Sequence, residues 1–426
     1  MSDQHFDVSG RGFKHLTPTR EALRLITSRV PEKVLELEEI SPSSALHRVL
    51  GEDLVAPVDV PGFDRAAMDG YAVNAEDTYS ANLNSPIVLR RAPGRSDGTI
   101  VVRRGEASLV VTGGPMPDGA NAVVMSEYAK ETGEGTIEVS AEVHPSENVS
   151  RTGEDLRRGA LVLRTGQRLL AQDIGMLAYL GYGQVKVKRK LRIAVLSTGN
   201  EIHDGPVASS GRIPDVNRPT LLNAAREIDC EPIDLGIAVD EFDVIENKLK
   251  HALNSADIIL VTAGTSVGPR DFVPQVIDRL GKPGLLVHGV AMRPSMPTGL
   301  GIVDGTPIIS LPGYPVSAYL AFLEFVPALV DHMLGAHSLP RPVVSARLLR
   351  RVAGVLGSRT YVRVRVSEIE GSIFAEPVSI SGAGILSSLV RSNGFIIVPE
   401  NVEGYEEGAS VGVELFRPVE SRNAVA

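Results

Sequence analysis

The segment Leu191-Arg-Ile-Ala-Val-Leu-Ser-Thr-Gly-Asn-Glu201 places a short apolar run directly before a loop of small and polar residues. The run has the length and composition of a buried strand. Helix-like and strand-like segments then alternate: the pattern predicts helices over residues 217–228, 241–254, 272–280 and 316–334, and strands over 232–237, 257–262 and 307–311. This alternation predicts an α/β domain with a parallel sheet, whose ligands bind at the carboxyl ends of the strands.

The chain before this domain changes character twice. Residues 16–30 have a helical pattern, with Thr17 as candidate N-cap and Pro18 at the first helical position. Further helices are predicted over residues 43–50 and 169–180. Short apolar runs between them are separated by Gly, Pro and Asn, which is typical of strands and turns; they lie at residues 87–89, 107–112, 122–125 and 136–139. A β-rich insert in a split domain is therefore expected.

After the linker Pro340-Arg-Pro342 the pattern becomes one of short, regularly spaced strands, at residues 343–349, 361–366, 373–378, 395–398 and 410–416. This predicts a small β-barrel or sandwich. The expected fold class is multi-domain α/β plus β. The predicted boundaries are residues 13–58 with 148–189 for the split domain, 59–147 for the insert, 190–338 for the α/β domain and 339–426 for the C-terminal domain.

Composition narrows the function classes. The net charge of −9 over 426 residues argues against nucleic-acid binding, which needs a basic face. Cys230 is the only cysteine, so intramolecular disulfides and multi-cysteine metal sites are excluded, and we expect this thiol to be buried. The polar N-terminus and the lack of an apolar run of roughly 18 residues lead us to expect a cytoplasmic protein without a membrane segment.

Two loops carry candidate chemistry. Pro61-Gly-Phe-Asp-Arg-Ala-Ala-Met-Asp-Gly-Tyr-Ala-Val73 contains two carboxylates, Asp64 and Asp69, and has neither helical nor strand periodicity. Thr262-Ala-Gly-Thr-Ser-Val-Gly-Pro-Arg-Asp271 joins a strand to a helix and offers hydroxyls and glycine-freed amides to an anion. A carboxylate at Asp271 suggests a cation such as Mg²⁺ beside a bound phosphate, or else a helix cap.

Three further positions suit an oxyanion. Arg293 lies in a proline-braced loop, and arginine binds oxyanions as a fork of donors. Ser317 follows a stiff turn and either donates to an oxyanion or satisfies backbone. Arg359, Tyr361 and Arg363 share one face of a strand, which is either aimed at a ligand or is a solvated edge protected by charge.

Carboxylates also gather at the predicted sheet edge. Glu201 and Asp240 each follow a strand of the α/β domain, as does Asp271. Three carboxylates at one edge repel each other unless a cation or a function keeps them. The sequence therefore indicates either a metal site of Asp271, Asp240 and Glu201 or another function that keeps these carboxylates together.

Several motifs taken together resemble the molybdopterin molybdenumtransferase family, the MoeA type, which includes the E domain of gephyrin. The matching pieces, in chain order, are Pro61-Gly-Phe-Asp, Ala67-Met-Asp-Gly-Tyr-Ala-Val73, Thr112-Gly-Gly-Pro-Met-Pro-Asp-Gly-Ala120, Arg151-Thr-Gly-Glu-Asp155, Ser197-Thr-Gly-Asn-Glu201, Ser266-Val-Gly-Pro-Arg-Asp271 and Leu311-Pro-Gly-Tyr-Pro-Val-Ser-Ala318. The resemblance extends from about Leu16 to the C-terminus.

This resemblance implies an activity and a set of site residues. Family members insert molybdate, or tungstate in some lineages, into adenylylated molybdopterin with Mg²⁺-dependent release of AMP, and act as homodimers; other cofactor-biosynthesis proteins are further candidate partners. The positions that match family residues needed for activity are Asp69, Thr112, Glu201, Asp240 and Asp271. Those expected to hold phosphate or oxyanion are Gly264, Ser266, Arg293, Pro297, Ser317, Arg359, Ser387 and Ser388.

Two departures and two rival functions follow from the same resemblance. Met296 stands where many members have a second lysine, which affects how strongly and how selectively the pocket binds an oxyanion. Ala263 replaces a glycine. One rival is a molybdopterin adenylyltransferase, which shares the 266–271 loop but needs neither insert nor barrel. The other is a non-enzymatic scaffold or diverged paralogue, against which the acidic residues argue.

Overall fold

The structure is a computed structural model that describes residues 16–31, 35–94, 98–133, 135–205, 211–262, 272–337, 340–379 and 383–421. All statements below refer to these residues.

The insert is a six-stranded sheet. It follows α1 (Thr19–Thr27), β1 (Leu37–Ile40) and β2 (Leu54–Val55). A short strand, β3 (Arg65–Ala66), precedes the sheet. The six strands of the sheet are β4 (Gly70–Val73), β5 (Ile87–Arg91), β6 (Glu106–Val110), β7 (Ala122–Met125), β8 (Ala129–Gly133) and β9 (Thr136–Val139). The strand order is β7-β4-β6-β5-β9-β8, and its own small core contains Val73, Leu89 and Ile137.

The chain returns from the insert to the domain that it left. The returning elements are β10 (Val149–Ser150), β11 (Leu161–Leu163), α2 (Ala171–Tyr179) and β12 (Val185–Lys188). Strand β12 pairs antiparallel with β1, and β11 with β2. Because strands from both sides of the insert pair with each other, the split domain of the predicted fold class is confirmed; its exact boundaries stay a prediction.

The α/β domain contains a second six-stranded sheet, ordered β16-β13-β17-β21-β20-β18. Its elements are β13 (Arg192–Thr198), β14 (Ile202–His203), β15 (Ile213–Pro214), α3 (Asn217–Glu227), β16 (Glu231–Ala238), α4 (Phe242–Leu253), β17 (Ile258–Thr262), α5 (Val273–Leu280), β18 (Pro283–His288), β19 (Met292–Arg293), β20 (Gly299–Val303), β21 (Thr306–Leu311) and α6 (Pro315–Leu334).

The sheet is not wholly parallel, which corrects the sequence expectation. Strands β16, β13, β17 and β21 are parallel, whereas β20 and β18 run antiparallel to their neighbours. Asp304 and Gly305 join β20 to β21 with φ of 49° and 84°. Positive φ at both residues defines a tight hairpin turn, and such a turn can only join antiparallel strands.

Two helix predictions near the N-terminus are also wrong in detail. Thr17 does not cap α1; its backbone bridges Val290 of the α/β domain, and helix starts after Pro18. The expected helix over residues 43–50 is only a 3₁₀ turn, Pro42–Ser44, because Val49 and Leu50 pair as isolated bridges with Arg168 and Val187. In both places tertiary backbone pairing overrides a local helical pattern.

The C-terminal domain is a closed five-stranded barrel formed by β24, β25, β22, β28 and β26. The elements are β22 (Val343–Leu348), β23 (Val352–Ala353), β24 (Arg359–Ile369), β25 (Ser372–Ser379), α7 (Ser387–Val390), β26 (Gly394–Val398), β27 (Gly404–Tyr405), β28 (Ser410–Leu415) and β29 (Glu420–Ser421). Val362, Val364 and Val366 fill the barrel interior, so the residues between them point outward.

Helix α6 is the central buried element. Phe322 and Phe325 are about fully buried in the core that joins the sheet, α1 and the barrel strand β24. By length and composition α6 could cross a membrane, but 61% of its apolar window is buried inside the protein. Its hydrophobicity is therefore accounted for by the core.

We expect Phe325→Ala to destabilise the protein by ~3–5 kcal/mol, because it removes a fully buried ring and leaves a cavity. Tyr179→Ala, at a half-exposed aromatic position on α2, is the matched control and should change stability by about 0.5 kcal/mol or less. Urea unfolding followed by circular dichroism measures both. Equal losses for the two variants would show that α6 burial does not hold the core together.

Candidate functional site

Asp69 is held by a two-donor clamp on the insert. Its Oδ1 accepts hydrogen bonds from the backbone N–H of Thr112 at 2.6 Å and from the Thr112 hydroxyl at 2.8 Å. The next residue must be glycine, because a Cβ on Gly70 would lie 2.0 Å from the carbonyl oxygen of Val124 on the neighbouring strand β7. Asp69 thus sits where β4 begins, and Thr112 where the chain leaves β6.

The same clamp sets the charge of Asp69. The N–H of Thr112 and then its hydroxyl lower the pKa of Asp69 below its ordinary value, because both donors stabilise the carboxylate. The side chain remains solvent-exposed, so the ionised carboxylate faces outward. Asp69 and Thr112, two positions that the resemblance implies are needed for activity, are thus in direct contact.

A second clamp of the same design lies nearby in the chain. Asp64 Oδ1 accepts from the N–H and the hydroxyl of Thr152, both at 2.7 Å, and these donors lower the pKa of Asp64. The sequence pattern indicates the Asp64 loop and the motif that contains Thr152, but it does not predict the contact between them. Only the fold brings positions 88 residues apart together.

Glu201 and Asp240 lie at the carboxyl ends of neighbouring strands β13 and β16. The loops are joined because Asn200 N–H donates to Asp240 Oδ2 and Asp240 N–H donates to Asn200 Oδ1, both at 3.3 Å. Gly199 has φ of 146°, and a Cβ there would come within 2.7 Å of the Glu201 carboxylate. The two predicted carboxylates thus share one sheet edge.

Three predicted site residues, Gly264, Ser266 and Asp271, lie outside the described residues, so the proposed metal set stays a prediction. Among the described residues, no group of three His, Cys, Asp or Glu side chains is arranged to hold a metal ion. Strand β17, which leads into that loop, ends at Thr262, whose hydroxyl is 3.0 Å from that of Ser197 on β13.

A cavity of about 460 Å³ lies where the α/β domain meets the barrel. Its lining includes Arg293 at the end of β19, Pro297 from the loop that follows, Ser317 at the start of α6, and Arg363 from β24. Met296 also lines it. Strand β19 pairs with the start of β24, which fixes the arginine loop against the barrel. The structure therefore brings together Arg293, Pro297 and Ser317, three of the residues expected to hold phosphate or oxyanion.

Arg359, which was also expected to hold phosphate or oxyanion, does not line this cavity. Its Nε lies 4.0 Å from a carboxylate oxygen of Glu324 on α6, and the Tyr361 hydroxyl donates to the same carboxylate. Arg363, only 3% exposed, lines the cavity instead, and burial lowers its pKa. The alternative of a solvated edge is wrong, since β24 pairs with both β25 and β26.

The predicted serines differ in their surroundings. Ser317 is 3% exposed, and no hydrogen bond to its hydroxyl is found within the described part of the chain. Ser388 is equally buried, but its hydroxyl donates to the carbonyl of Ile385 at 2.6 Å. Ser387 is exposed at the start of α7. Of the three, Ser317 alone lines the cavity.

The single cysteine, Cys230, is chemically unreactive. Cys230 is 4% exposed, and burial raises the pKa of its thiol to about 12, so it stays protonated and unreactive at neutral pH. This matches the sequence expectation of a buried thiol.

Family models match the chain in three consecutive parts. They are described as "MoeA N-terminal region (domain I and II)" over residues 17–181, "Probable molybdopterin binding domain" over 194–331 and "MoeA C-terminal region (domain IV)" over 345–416. The split domain with its insert, the α/β domain and the barrel thus fall into these three matches, and together they define a class of multi-domain enzymes of molybdopterin chemistry.

Relatives of known name cover nearly the whole chain. A Methanocaldococcus jannaschii protein named for molybdopterin biosynthesis is 36% identical over 95% of this chain and 99% of its own. The molybdopterin molybdenumtransferase of Haemophilus influenzae is 31% identical over 89% and 94%. The crystal structure of a molybdopterin biosynthesis moeA protein from Pyrococcus horikoshii superposes with a TM-score of 0.82 at 34% identity, over 94% and 100%.

The chain belongs to the MoeA family. It is accordingly a transferase of molybdenum cofactor biosynthesis. This confirms the resemblance and the fold class predicted from the sequence. The chain also has the insert and barrel that the rival adenylyltransferase does not need.

We expect Thr112→Val to raise the pKa of Asp69 toward its ordinary value, because it removes the hydroxyl donor while keeping the side-chain shape. The Asp69 carboxylate stays ionised at pH values below its ordinary pKa. Its contribution to the stability of the folded protein is present above the ordinary pKa and is lost as pH falls through the lowered pKa. Carboxyl NMR titration of ¹³C-aspartate-labelled protein, assigned with Asp69→Asn, measures the shift.

Thr152→Val is the matched control, because it removes the corresponding donor from Asp64 and leaves the Thr112 clamp intact. It should shift Asp64 and not Asp69. An unchanged Asp69 titration in Thr112→Val would contradict the role assigned to the hydroxyl.

Proposed function

We propose that this enzyme inserts molybdenum from molybdate into adenylylated molybdopterin, with Mg²⁺-dependent release of AMP. The observation that carries the proposal is the 460 Å³ cavity in which Arg293, Arg363 and Ser317 converge. The curated relatives named molybdopterin molybdenumtransferase support the substrate class. The other site elements supply the steps around this cavity.

The cavity suits a tetrahedral oxyanion. Arg293 is exposed, and no carboxylate of the described chain lies within ion-pair distance of it, so its donors remain available to a ligand. Arg363 adds a second guanidinium from the barrel side, and Ser317 a hydroxyl from the first turn of α6. Guanidinium groups bind oxyanions through pairs of parallel hydrogen bonds.

Met296 lines this cavity at the position where the sequence suggested a lost lysine. We propose that Arg363 supplies the second positive charge there. A guanidinium is larger and more weakly hydrated than an ammonium, so it favours the more diffuse charge of molybdate or tungstate over small anions. Which of the two oxyanions is preferred is decided by direct competition.

The residues at the sheet edge fit a divalent cation by their donor chemistry. Carboxylate oxygens are the ligands that Mg²⁺ takes in proteins, and Glu201 and Asp240 lie on loops joined through Asn200. We propose that they bind Mg²⁺ together with Asp271. An ion held by these carboxylates would neutralise phosphate charge and would thereby favour hydrolysis of the phosphoanhydride to AMP and molybdopterin.

We propose that Asp69 and Thr112 act on the site of a second copy, in a homodimer. Among the described residues, no hydrogen bond or ion pair connects them to the sheet edge or the cavity of their own chain. Apolar side chains exposed near them would be covered by a partner: Phe63, Met68, Leu109 and Val111, each 45–63% exposed. Because Asp69 is ionised and faces outward, its carboxylate can interact with a cation or a proton donor in the site of the partner subunit.

The direct test is AMP release from adenylylated molybdopterin with Mg²⁺, with molybdate or tungstate supplied in parallel. We expect release and metal insertion, both abolished by EDTA and restored by Mg²⁺. No release with either oxyanion would refute the proposed reaction and favour a scaffold or diverged paralogue. Release without incorporation of the metal would limit the function to adenylate hydrolysis.

Arg293→Ala should weaken molybdate binding by ~1.5–3 kcal/mol, because it removes one charge-assisted contact. Titration calorimetry of the full-length protein measures the affinity. Arg351→Ala, at an exposed barrel arginine that pairs weakly with Glu406, is the control and should bind as wild type does. Unchanged affinity in Arg293→Ala would remove Arg293 from the oxyanion site.

A further inference from the structure

A second arginine-lined depression lies on the outside of the barrel. Its volume is about 360 Å³, and its charged lining is Arg350, Arg365, Arg391 and Glu376. We call this set the arginine groove. It has an excess of two positive charges in a chain whose net charge is −9. None of its members belongs to the residues assigned to the transferase site above.

Arg365 forms the floor of the arginine groove. It lies on β24 directly opposite Glu376 on β25, and its Nε is 3.7 Å from a carboxylate oxygen of Glu420. That Nε is buried, and it has no hydrogen-bond partner among the residues that the structure describes. A buried N–H without an acceptor is costly, and an anion in the groove would supply one.

Arg350 is already oriented toward the groove. Its Nη2 donates to the carbonyl of Pro377 at 2.6 Å and lies 3.5 Å from Glu376. These two contacts both use Nη2, which leaves the donors on Nε and Nη1. The rest of this fork is available to a ligand, and the Pro377 contact limits the side-chain freedom that binding would otherwise have to remove.

Arg391 completes the groove from a different element, immediately after α7. In the part of the chain that the structure describes, no carboxylate lies within ion-pair distance of Arg391. Three guanidiniums from three separate segments thus surround one small depression. Like charges brought together in this way repel each other, and a bound anion relieves the repulsion.

The arginine groove is adjacent to the cavity along a single strand. Val362, Val364 and Val366 point into the barrel, so Arg363 and Arg365 are successive outward residues of β24. Arg363 lines the cavity and Arg365 lines the groove. Residues two apart on a strand are separated by about 6.6 Å along it.

We propose that the arginine groove is a second binding site for a tetrahedral oxyanion, of the phosphate and molybdate class. Three forked donors around one depression match such a group. The group can be a free oxyanion or the phosphate of a nucleotide. The site does not depend on the proposed reaction, because none of its residues is among those assigned to the transferase site.

The test measures binding of inorganic phosphate, tungstate and AMP to the full-length protein by titration calorimetry, at low and high ionic strength. The variants are Arg365→Met, Arg391→Met and Arg350→Met, which keep side-chain bulk and remove charge. Arg351→Met is the matched control, since Arg351 is adjacent in sequence to Arg350 but lies outside the groove. All are repeated in the Arg293→Ala background, so that binding at the cavity is separated from binding at the groove.

We expect each groove variant to weaken one class of oxyanion sites by about tenfold or more, and Arg351→Met to leave it unchanged. The effect should persist in Arg293→Ala, be weaker at high salt, and coincide with anomalous density of tungstate between Arg365 and Arg391 in crystals. Tighter binding of AMP than of phosphate would identify a nucleotide phosphate as the ligand; the reverse would identify a free oxyanion.

Two results would overturn the proposal. One is wild-type affinity in both Arg391→Met and Arg350→Met, which alter side chains at the rim of the groove. The other is an equal loss in Arg351→Met, which would show a diffuse charge effect. Failure of AMP release in the transferase assay would not bear on either result, because this experiment measures binding alone.

Discussion

Burial of helix α6 is the constraint on which the rest of the molecule depends. Its first turn presents Ser317 to the cavity, while the Glu324 carboxylate in its middle accepts from the Tyr361 hydroxyl of the barrel. Near its C-terminus, Asp331 receives a hydrogen bond from Arg168 of the split domain at 2.8 Å. One apolar helix thus contacts three domains, so the volume filled by its core residues also sets the geometry of the oxyanion cavity.

The candidate site is distributed because each part needs a different physical environment. The clamp that lowers the pKa of Asp69 requires exposed backbone donors at a strand end, and the sheet edge supplies convergent loops for Asp240. The cavity proposed to hold an oxyanion instead uses a buried arginine, Arg363, at the junction with the barrel. Binding energy for a charged ligand is larger where water is excluded, so the cavity is the natural place for selectivity.

Much of this could be predicted from sequence because it rests on local pattern. Strand and helix alternation identified the α/β domain, and the proline-braced loop identified Arg293. The antiparallel β20 was missed although Asp304-Gly305 is a readable hairpin signal. Arg359 and Arg363 could not be distinguished, since period two places both on one face; only packing against Glu324 separates them. The Asp64 clamp depends on a contact across 88 residues, for which the sequence carries no local signal.

The assembly of one site from two copies is tested most directly by subunit complementation. Asp69→Asn and Arg293→Ala proteins are mixed under conditions that exchange subunits, at a molybdate concentration low enough that neither protein alone inserts the metal. If the site is shared, a mixed dimer contains one intact site, and activity should return to about a quarter of the wild-type value. Mixing Asp69→Asn with Thr112→Ala, which alter the same side, should restore nothing. No recovery in the first mixture, with exchange verified, would contradict a shared site.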